Sequence, residues 1–155
     1  MTSLKNITLE EKASVFDSHG YSLLIDKRVP SNLSIEETIV SVLFGSEPEP
    51  RLLEGIPVLI VKNKINYPKL KKLVDKYHIW NEFGYFGNFA LKYFNNIQLR
   101  DLVNYCHTKL KPLRDILGFG YSFSKEFRKN DEKIWNLIGS PSYPSLEKQF
   151  RRYNG

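Results

Sequence analysis

The chain is poor in the residues that build covalent cross-links and metal sites. Its 155 residues include one cysteine and three histidines. A single cysteine, Cys106, excludes an internal disulfide and a thiolate-based zinc site, and is typical of a protein from a reducing compartment. The longest apolar run, Ile56 to Val61, is far too short to span a bilayer, and the N-terminus has no apolar leader. We therefore expect a cytoplasmic protein with no membrane partner, no metal and no cofactor.

Recognisable catalytic patterns are also missing from the sequence. His19, His78 and His107 do not stand at the spacing of metal ligands. Cys106 and His107 are neighbours that would point about 100° apart on a helix, which is unsuitable for a nucleophile and its base. Gly118-Phe-Gly120 lacks the third glycine of a dinucleotide-binding loop. The sequence therefore favours a binding protein over an enzyme, although a group of carboxylates described below leaves the question open.

The chain is rich in aromatic and aliphatic side chains. Aromatic residues make up 14% of it, and the large areas that they bury argue against disorder. A chain of 155 residues has the size of one domain and can bury a core without cross-links. We predict a mainly α-helical, compact, multi-helix domain that comprises residues 1–155, in which residues 118–155 form a less regular segment rich in aromatic and basic residues.

Helix signals recur along the whole chain. Two capping boxes, Thr8-Leu-Glu-Glu11 and Ser34-Ile-Glu-Glu37, each precede apolar residues at helical spacing. Pro68 stands where a first helical turn tolerates proline. The predicted helices cover approximately residues 9–18, 35–44, 51–61, 66–77, 80–94, 97–110, 131–138 and 145–153.

Two segments allow more than one structure. Arg51 to Val61 contains Gly55 and Pro57, and an interior proline removes a hydrogen bond and kinks a helix. We favour a kinked helix over a buried strand at Ile56–Val61, because the sequence offers no second strong strand to pair with it. Tyr21 to Asp26 is β-prone, and there we expect a short strand, a hairpin or an extended connector.

Positive charge is concentrated towards the C-terminus. The formal net charge is +6, but residues 1–61 carry five Lys or Arg against nine Asp or Glu, a balance of −4, which leaves +10 for the remainder. Such asymmetry favours an acidic partner, either nucleic acid or an acidic protein surface. The alternative is that the lysines only keep the fold soluble.

The clearest basic feature is the helix that follows Asn66. Lys69, Lys72 and Lys76 recur at the spacing that places them on one side of a helix, away from its apolar residues. Phosphate neutralisation and base stacking require cations near aromatic rings, and the tail supplies more of both. The predicted binding residues are Lys62, Lys64, Lys69, Lys72, Lys76, Arg128, Lys129, Arg151 and Arg152.

A second candidate site is acidic. Glu47, Glu49 and Glu54 surround Arg51, and carboxylates beside an arginine could bind a divalent cation or supply a general acid. The same pattern is typical of a charged helix start, in which glutamates complement the helix dipole and the arginine pairs with a carboxylate. A small metal-dependent nucleic-acid-processing enzyme is therefore the alternative to a binding protein.

Part of the chain resembles a known class of proteins. The residues concerned are Glu-Pro-Arg51-Leu-Leu-Glu54-Gly-Ile-Pro57-Val-Leu, the helix of lysines and leucines that follows, and Trp80-Asn-Glu-Phe-Gly84-Tyr-Phe. They are similar to segments of small bacterial regulators or antitoxins of the abortive-infection type, which accompany nucleotidyltransferase-like toxins. The resemblance implies a non-enzymatic regulatory protein whose helical surface engages a toxin-like protein, DNA or both.

Overall fold

A computed structural model describes residues 4–22, 29–44, 49–116 and 130–154 of the chain. Within these ranges the protein is mainly α-helical, as predicted. In the described residues, a short 3-10 helix, Leu4–Asn6, precedes eight α-helices: α1 Leu9–Ser18, α2 Ile35–Phe44, α3 Pro50–Lys62, α4 Tyr67–Tyr77, α5 Trp80–Ala90, α6 Ile97–Thr108, α7 Asn130–Ile134 and α8 Tyr143–Asn154. Two strands of two residues, β1 Arg114–Asp115 and β2 Leu137–Ile138, pair in parallel.

Both predicted capping boxes hold the start of a helix. Thr8 Oγ1 accepts a hydrogen bond of 3.2 Å from the Glu11 N–H. Ser34 Oγ accepts one of 3.1 Å from the Glu37 N–H, and Glu37 Oε1 accepts one of 3.1 Å from the Ser34 N–H in return. Each such cap satisfies a donor that the helix itself leaves unpaired, which stabilises the fold by about 1 kcal/mol.

The segment that contains Pro57 is helical throughout. Because α3 continues from Pro50 to Lys62 with Pro57 inside it, the predicted helix is confirmed and the alternative strand at Ile56–Val61 is wrong. Every residue from Gly55 to Ile60 is buried, and a Cβ added at Gly55 would lie 2.6 Å from Cδ1 of Tyr21. This burial offsets the cost of an interior proline, which is roughly 3 kcal/mol.

Two helices end earlier than the sequence predicts. The prediction extended α5 to Phe94, but Leu91–Tyr93 form a turn, in which the N–H groups of Lys92 and Tyr93 bond to carbonyl oxygens three residues back. The prediction extended α7 to Ile138, but Asn136 has a positive φ of 50°, and the two residues after it pair with β1. The other predicted boundaries agree with the structure to within two residues.

The segment predicted as strand, hairpin or connector is only partly described. Tyr21 and Ser22 belong to no strand, and residues 23–26 lie outside the described ranges. Tyr21 is instead part of the core, with its hydroxyl donating a hydrogen bond of 2.9 Å to the Arg51 carbonyl oxygen. The described strands lie far from this position in sequence.

One hydrophobic cluster extends from Leu4 to Phe150, and α5 lies within it. α5 packs mainly against α6 and α3, and α8 packs against α3. α4 packs against α2, α5 and α6, which leaves its outer side in contact with solvent. Among the described helices, none combines the length and the apolar character needed to cross a bilayer.

Candidate binding surface

The outer side of α4 carries exposed lysines. Lys72 and Lys76 are exposed, whereas Leu70 and Val74 on the inner side have no exposed surface. The spacing of apolar and basic residues thus predicts which side of α4 is in solvent. It does so because an amphipathic helix gains most of its stability by burying its apolar side.

Lys69 differs from the other two lysines predicted for this side. Its Nζ lies 3.6 Å from Oε1 of Glu37 on α2, and the residue is half-buried. Burial alone would raise the pKa of Glu37, but hydrogen bonds from Ser34 and the charge of Lys69 outweigh it and hold that pKa below its ordinary value. Lys69 therefore joins α4 to α2, while 42% of its side chain stays exposed.

The predicted residues at the end of α3 and just after it are exposed but differ in their contacts. Lys62 Nζ donates a hydrogen bond of 3.3 Å to the Gly20 carbonyl oxygen, so it joins the end of α3 to the end of α1. Lys64 is exposed in the connection to α4. Arg128 and Lys129, also predicted to bind, lie outside the described residues.

The basic residues of the last helix occupy another part of the molecule. Arg151 and Arg152 are exposed on α8. This helix packs against α3, whereas α4 packs against α2, α5 and α6. Arg151 Nη2 lies 3.1 Å from Oε1 of Glu147, and the Tyr93 hydroxyl donates to the same oxygen at 2.9 Å. A carboxylate therefore already neutralises Arg151.

Sequence analysis missed a cluster of cations and rings beside α4. Lys71 Nζ lies 4.2 Å from the centre of the Tyr105 ring, and Lys109 Nζ lies 5.8 Å from it. The Tyr105 hydroxyl donates a hydrogen bond of 2.8 Å to Asp75 Oδ1, which also accepts one of 2.8 Å from Trp80 Nε1. The hydrogen bond to Asp75 raises the pKa of Tyr105, so the phenol stays protonated and continues to donate.

A fifth lysine extends the same surface. Lys111 Nζ lies 5.4 Å from the centre of the Trp80 ring. The rings that these lysines contact are thus joined through one carboxylate, because Asp75 accepts hydrogen bonds from both Trp80 and Tyr105. We define the basic face as the exposed residues Lys71, Lys72, Lys76, Lys109 and Lys111.

A groove of about 300 Å³ lies between α4 and α6 next to the basic face. Tyr67 lines it, is only 7% exposed, and has a hydroxyl with no hydrogen-bond partner. Burial raises the pKa of Tyr67 to about 12, so the hydroxyl is neutral and can donate or accept. An unpartnered buried hydroxyl is uncommon, since it costs about 1–3 kcal/mol. The residues that line the groove are Tyr67, Pro68, Lys71, Gln98, Asp101, Leu102 and Tyr105.

The sequence contains a signal for the pairs of aromatic and basic residues but none for the groove. Tyr67 precedes Lys71 by four residues, and Tyr105 precedes Lys109 by four, which is a spacing at which helical side chains meet. A search for aromatic and basic pairs at that spacing would have found both. The groove itself depends on α4 lying beside α6, and the periodicity of either helix does not specify its neighbour.

Two residues of the acidic cluster, Glu49 and Arg51, stand at the start of α3. Glu49 Oε1 accepts a hydrogen bond of 3.2 Å from the Arg51 N–H and lies 3.4 Å from Arg51 Nε. Glu54 is half-buried on α3, and Glu47 is outside the described residues. Across the described part of the chain, no three or more His, Cys, Asp or Glu side chains are grouped to hold a metal ion. Glu49 and Arg51 thus fit a charged helix start.

Two buried titratable groups, Cys106 and Glu82, do not line the groove. Cys106 has no exposed surface, and burial raises its pKa to about 12, so its thiol is neutral and shielded. Glu82 on α5 is buried, with Oε2 at 3.5 Å from Arg114 Nη2 and no hydrogen-bond partner for Oε1. Burial raises the pKa of Glu82, although the charge of Arg114 opposes this.

Comparison with known proteins finds no match among family models, curated proteins or solved structures. The resemblance to abortive-infection regulators therefore stays a prediction. Function must be inferred from the geometry and the charge of the described residues, of which the basic face and its groove are the most distinctive.

Proposed function

We propose that the protein is a non-enzymatic binding protein that engages single-stranded nucleic acid through the basic face. The observation that carries the proposal is the placement of Lys71 and Lys109 around the ring of Tyr105, beside the outward-facing Lys72 and Lys76. Lysines neutralise phosphates, and surface rings and grooves accept bases. A cytoplasmic location, expected from the sequence, gives access to such a partner.

The charges on this surface favour an anionic partner. The basic face has five lysines, whereas its rings contact one carboxylate, Asp75, and a second, Asp101, lines the groove beside it. Asp75 already accepts hydrogen bonds from Trp80 and Tyr105, so it supports the rings as well as lowering the local charge. The balance stays positive, and a positive surface of this kind attracts polyanions over distances of about 10 Å at moderate salt.

The proposal is tested by fluorescence anisotropy with a labelled single strand of about twelve nucleotides, a length that a small binding site covers. The double variant Lys72→Glu/Lys76→Glu should bind at least about tenfold more weakly than the wild type, because it reverses two phosphate contacts. Folding should be preserved, since exposed charge changes usually alter stability by about 0.5 kcal/mol or less each.

The matched control is Lys133→Glu/Lys148→Glu, which makes the same change in net charge at exposed positions on α7 and α8. It should retain most of the affinity. Equal losses in both double variants would show that only net charge matters, and absence of wild-type binding at low salt would refute the proposal.

An acidic, toxin-like protein is the partner that the sequence resemblance favours. Co-purification with the same two double variants separates this possibility from the first. If Lys72→Glu/Lys76→Glu loses a protein partner but binds the oligonucleotide as the wild type does, the partner is a protein and the nucleic-acid proposal is wrong. The metal-dependent enzyme is not proposed, because Glu49 and Arg51 of the acidic cluster serve a helix start.

A further inference from the structure

We propose that the groove between α4 and α6 receives one unpaired base of the bound strand. This inference rests on the proposed function and adds to it the part of the ligand that the groove recognises. Phosphates alone would need only the exposed lysines. The groove offers an apolar slot and a hydroxyl without a partner, which phosphates do not use.

The walls of the groove suit a flat, mostly apolar group. Pro68 and Leu102 provide aliphatic surface, and the rings of Tyr67 and Tyr105 provide aromatic surface. A volume of about 300 Å³ is at the lower end of the range for ligand sites. It therefore fits a single ring system better than a large ligand or an entire helix of a protein partner.

The polar groups of the lining suit the edge of a base. Asp101 supplies hydrogen-bond acceptors, the amide of Gln98 supplies both donors and acceptors, and the Tyr67 hydroxyl can act as either. A nucleobase carries donors and acceptors along one edge. Since the Tyr67 hydroxyl has no partner, a base that reaches it would satisfy a group that is otherwise desolvated without compensation.

Access to that hydroxyl depends on the side chains around it. It is shielded from solvent, but Lys71 and Gln98 in the lining are exposed. Long exposed side chains change rotamer readily on short timescales. Contact with the Tyr67 hydroxyl therefore requires that the side chains covering it turn aside, and Tyr67→Phe tests that contact.

The neighbouring lysines complete the match to a strand. Lys71 lies in the lining itself, and Lys72 is the next residue along α4 and faces outward. A base in the groove would thus have cations beside it where the flanking phosphates of a strand would lie. An aromatic side chain of a protein would fill the walls but would leave these cations without phosphates.

The test compares two labelled single strands of about twelve nucleotides, oligodeoxythymidylate and an abasic phosphodiester of the same length. The wild type should prefer the strand with bases by at least about fivefold, the equivalent of one stacked base. Tyr67→Phe should weaken binding to oligodeoxythymidylate about three- to tenfold, the effect of one lost hydrogen bond, and leave binding to the abasic strand unchanged.

The matched control is Tyr93→Phe, which removes a hydroxyl that lies outside the groove. That hydroxyl donates to Glu147, so the preference for bases should persist. Tyr67→Phe deletes only an unpartnered group, and its midpoint of urea unfolding should not fall below that of the wild type. A fall would show that the Tyr67 hydroxyl has a structural partner and would overturn the inference.

The outcomes separate the two proposals. Failure of the wild type to bind either strand refutes the proposed function. Equal binding to both strands leaves the proposed function intact and refutes base recognition in the groove. The inference is also overturned if Tyr67→Phe behaves as the wild type does on both strands, or if thymidine monophosphate competes as strongly as the oligonucleotide, since the groove would then serve a free nucleotide.

Discussion

α4 and α5 are consecutive helices of 11 residues each, yet they meet solvent in opposite ways. On α5 every residue except Asn88 is buried, whereas on α4 only Tyr67, Leu70 and Val74 are buried. α5 therefore packs against the core on all sides, whereas α4 packs against it along one side. The comparison teaches that, of these two helices, only the one that packing leaves half free presents exposed lysines.

The largest effect is expected where α5 meets its neighbours most closely. A Cβ added at Gly84 would overlap the ring of Trp135, so Gly84→Ala should lower the free energy of unfolding by about 3 kcal/mol. Gly87→Ala is the matched control, since its Cβ would meet one methyl of Val103 at 2.8 Å, and better helix propensity offsets part of the strain. Urea unfolding measures both. Equal stability of Gly84→Ala and the wild type would show that α5 is less tightly packed than described.

The boundaries of the helices were only partly predictable from the sequence. Capping boxes and Pro68 gave helix starts correctly because those signals act within a few residues. The end of α7 was missed because Leu137 and Ile138 pair with β1, a contact between residues distant in sequence. Tertiary pairing of this kind overrides local propensity.

The candidate site was also only partly predictable from the sequence. The exposure of Lys72 and Lys76 follows from the periodicity of α4 alone. The pairing of Lys69 with Glu37 requires the position of α2, and the unpartnered hydroxyl of Tyr67 requires the position of α6. Sequence patterns identify the exposed side of a helix, but they do not identify the helices beside it.

A second prediction concerns the one acidic residue of α5. Burial raises the pKa of Glu82 above its ordinary value of 4.5, so the folded state holds this proton more tightly than the unfolded state does. The stability that Glu82 contributes is therefore complete below the ordinary pKa and is lost as the pH rises through the raised one. Glu82→Gln cannot ionise and should be more stable than the wild type at neutral pH, on the order of 1 kcal/mol.

Urea unfolding at acidic and neutral pH gives the measurement. Glu147→Gln is the control, because hydrogen bonds from Tyr93 and Arg151 lower the pKa of Glu147. A lowered pKa contributes stability above the ordinary value and loses it as the pH falls, so this variant should not gain stability at neutral pH. If Glu82→Gln and the wild type respond identically to pH, Glu82 is not desolvated as described.

The smallest expected effect on stability distinguishes two lysines of α4, Lys69 and Lys72. Lys69→Gln breaks the contact with Glu37 and should lower the free energy of unfolding by about 0.5 kcal/mol, as partly exposed ion pairs usually do. Lys72→Gln, on the outward side, should leave stability unchanged within about 0.2 kcal/mol. Affinity for a single strand should fall more in Lys72→Gln than in Lys69→Gln. Equal effects of the two substitutions on both properties would remove the distinction between the edge of α4 and its outer side.

The most direct test of the central claim is the salt dependence of oligonucleotide binding. For a single strand, the logarithm of the association constant falls with the logarithm of the salt concentration by about 0.7 for each phosphate contact. Wild-type protein should give a steep slope, and Lys72→Glu/Lys76→Glu should give a slope smaller by at least the value of two contacts, while Lys133→Glu/Lys148→Glu keeps the wild-type slope. A wild-type slope near zero, or one that Lys72→Glu/Lys76→Glu leaves unchanged, would contradict binding of nucleic acid by the basic face.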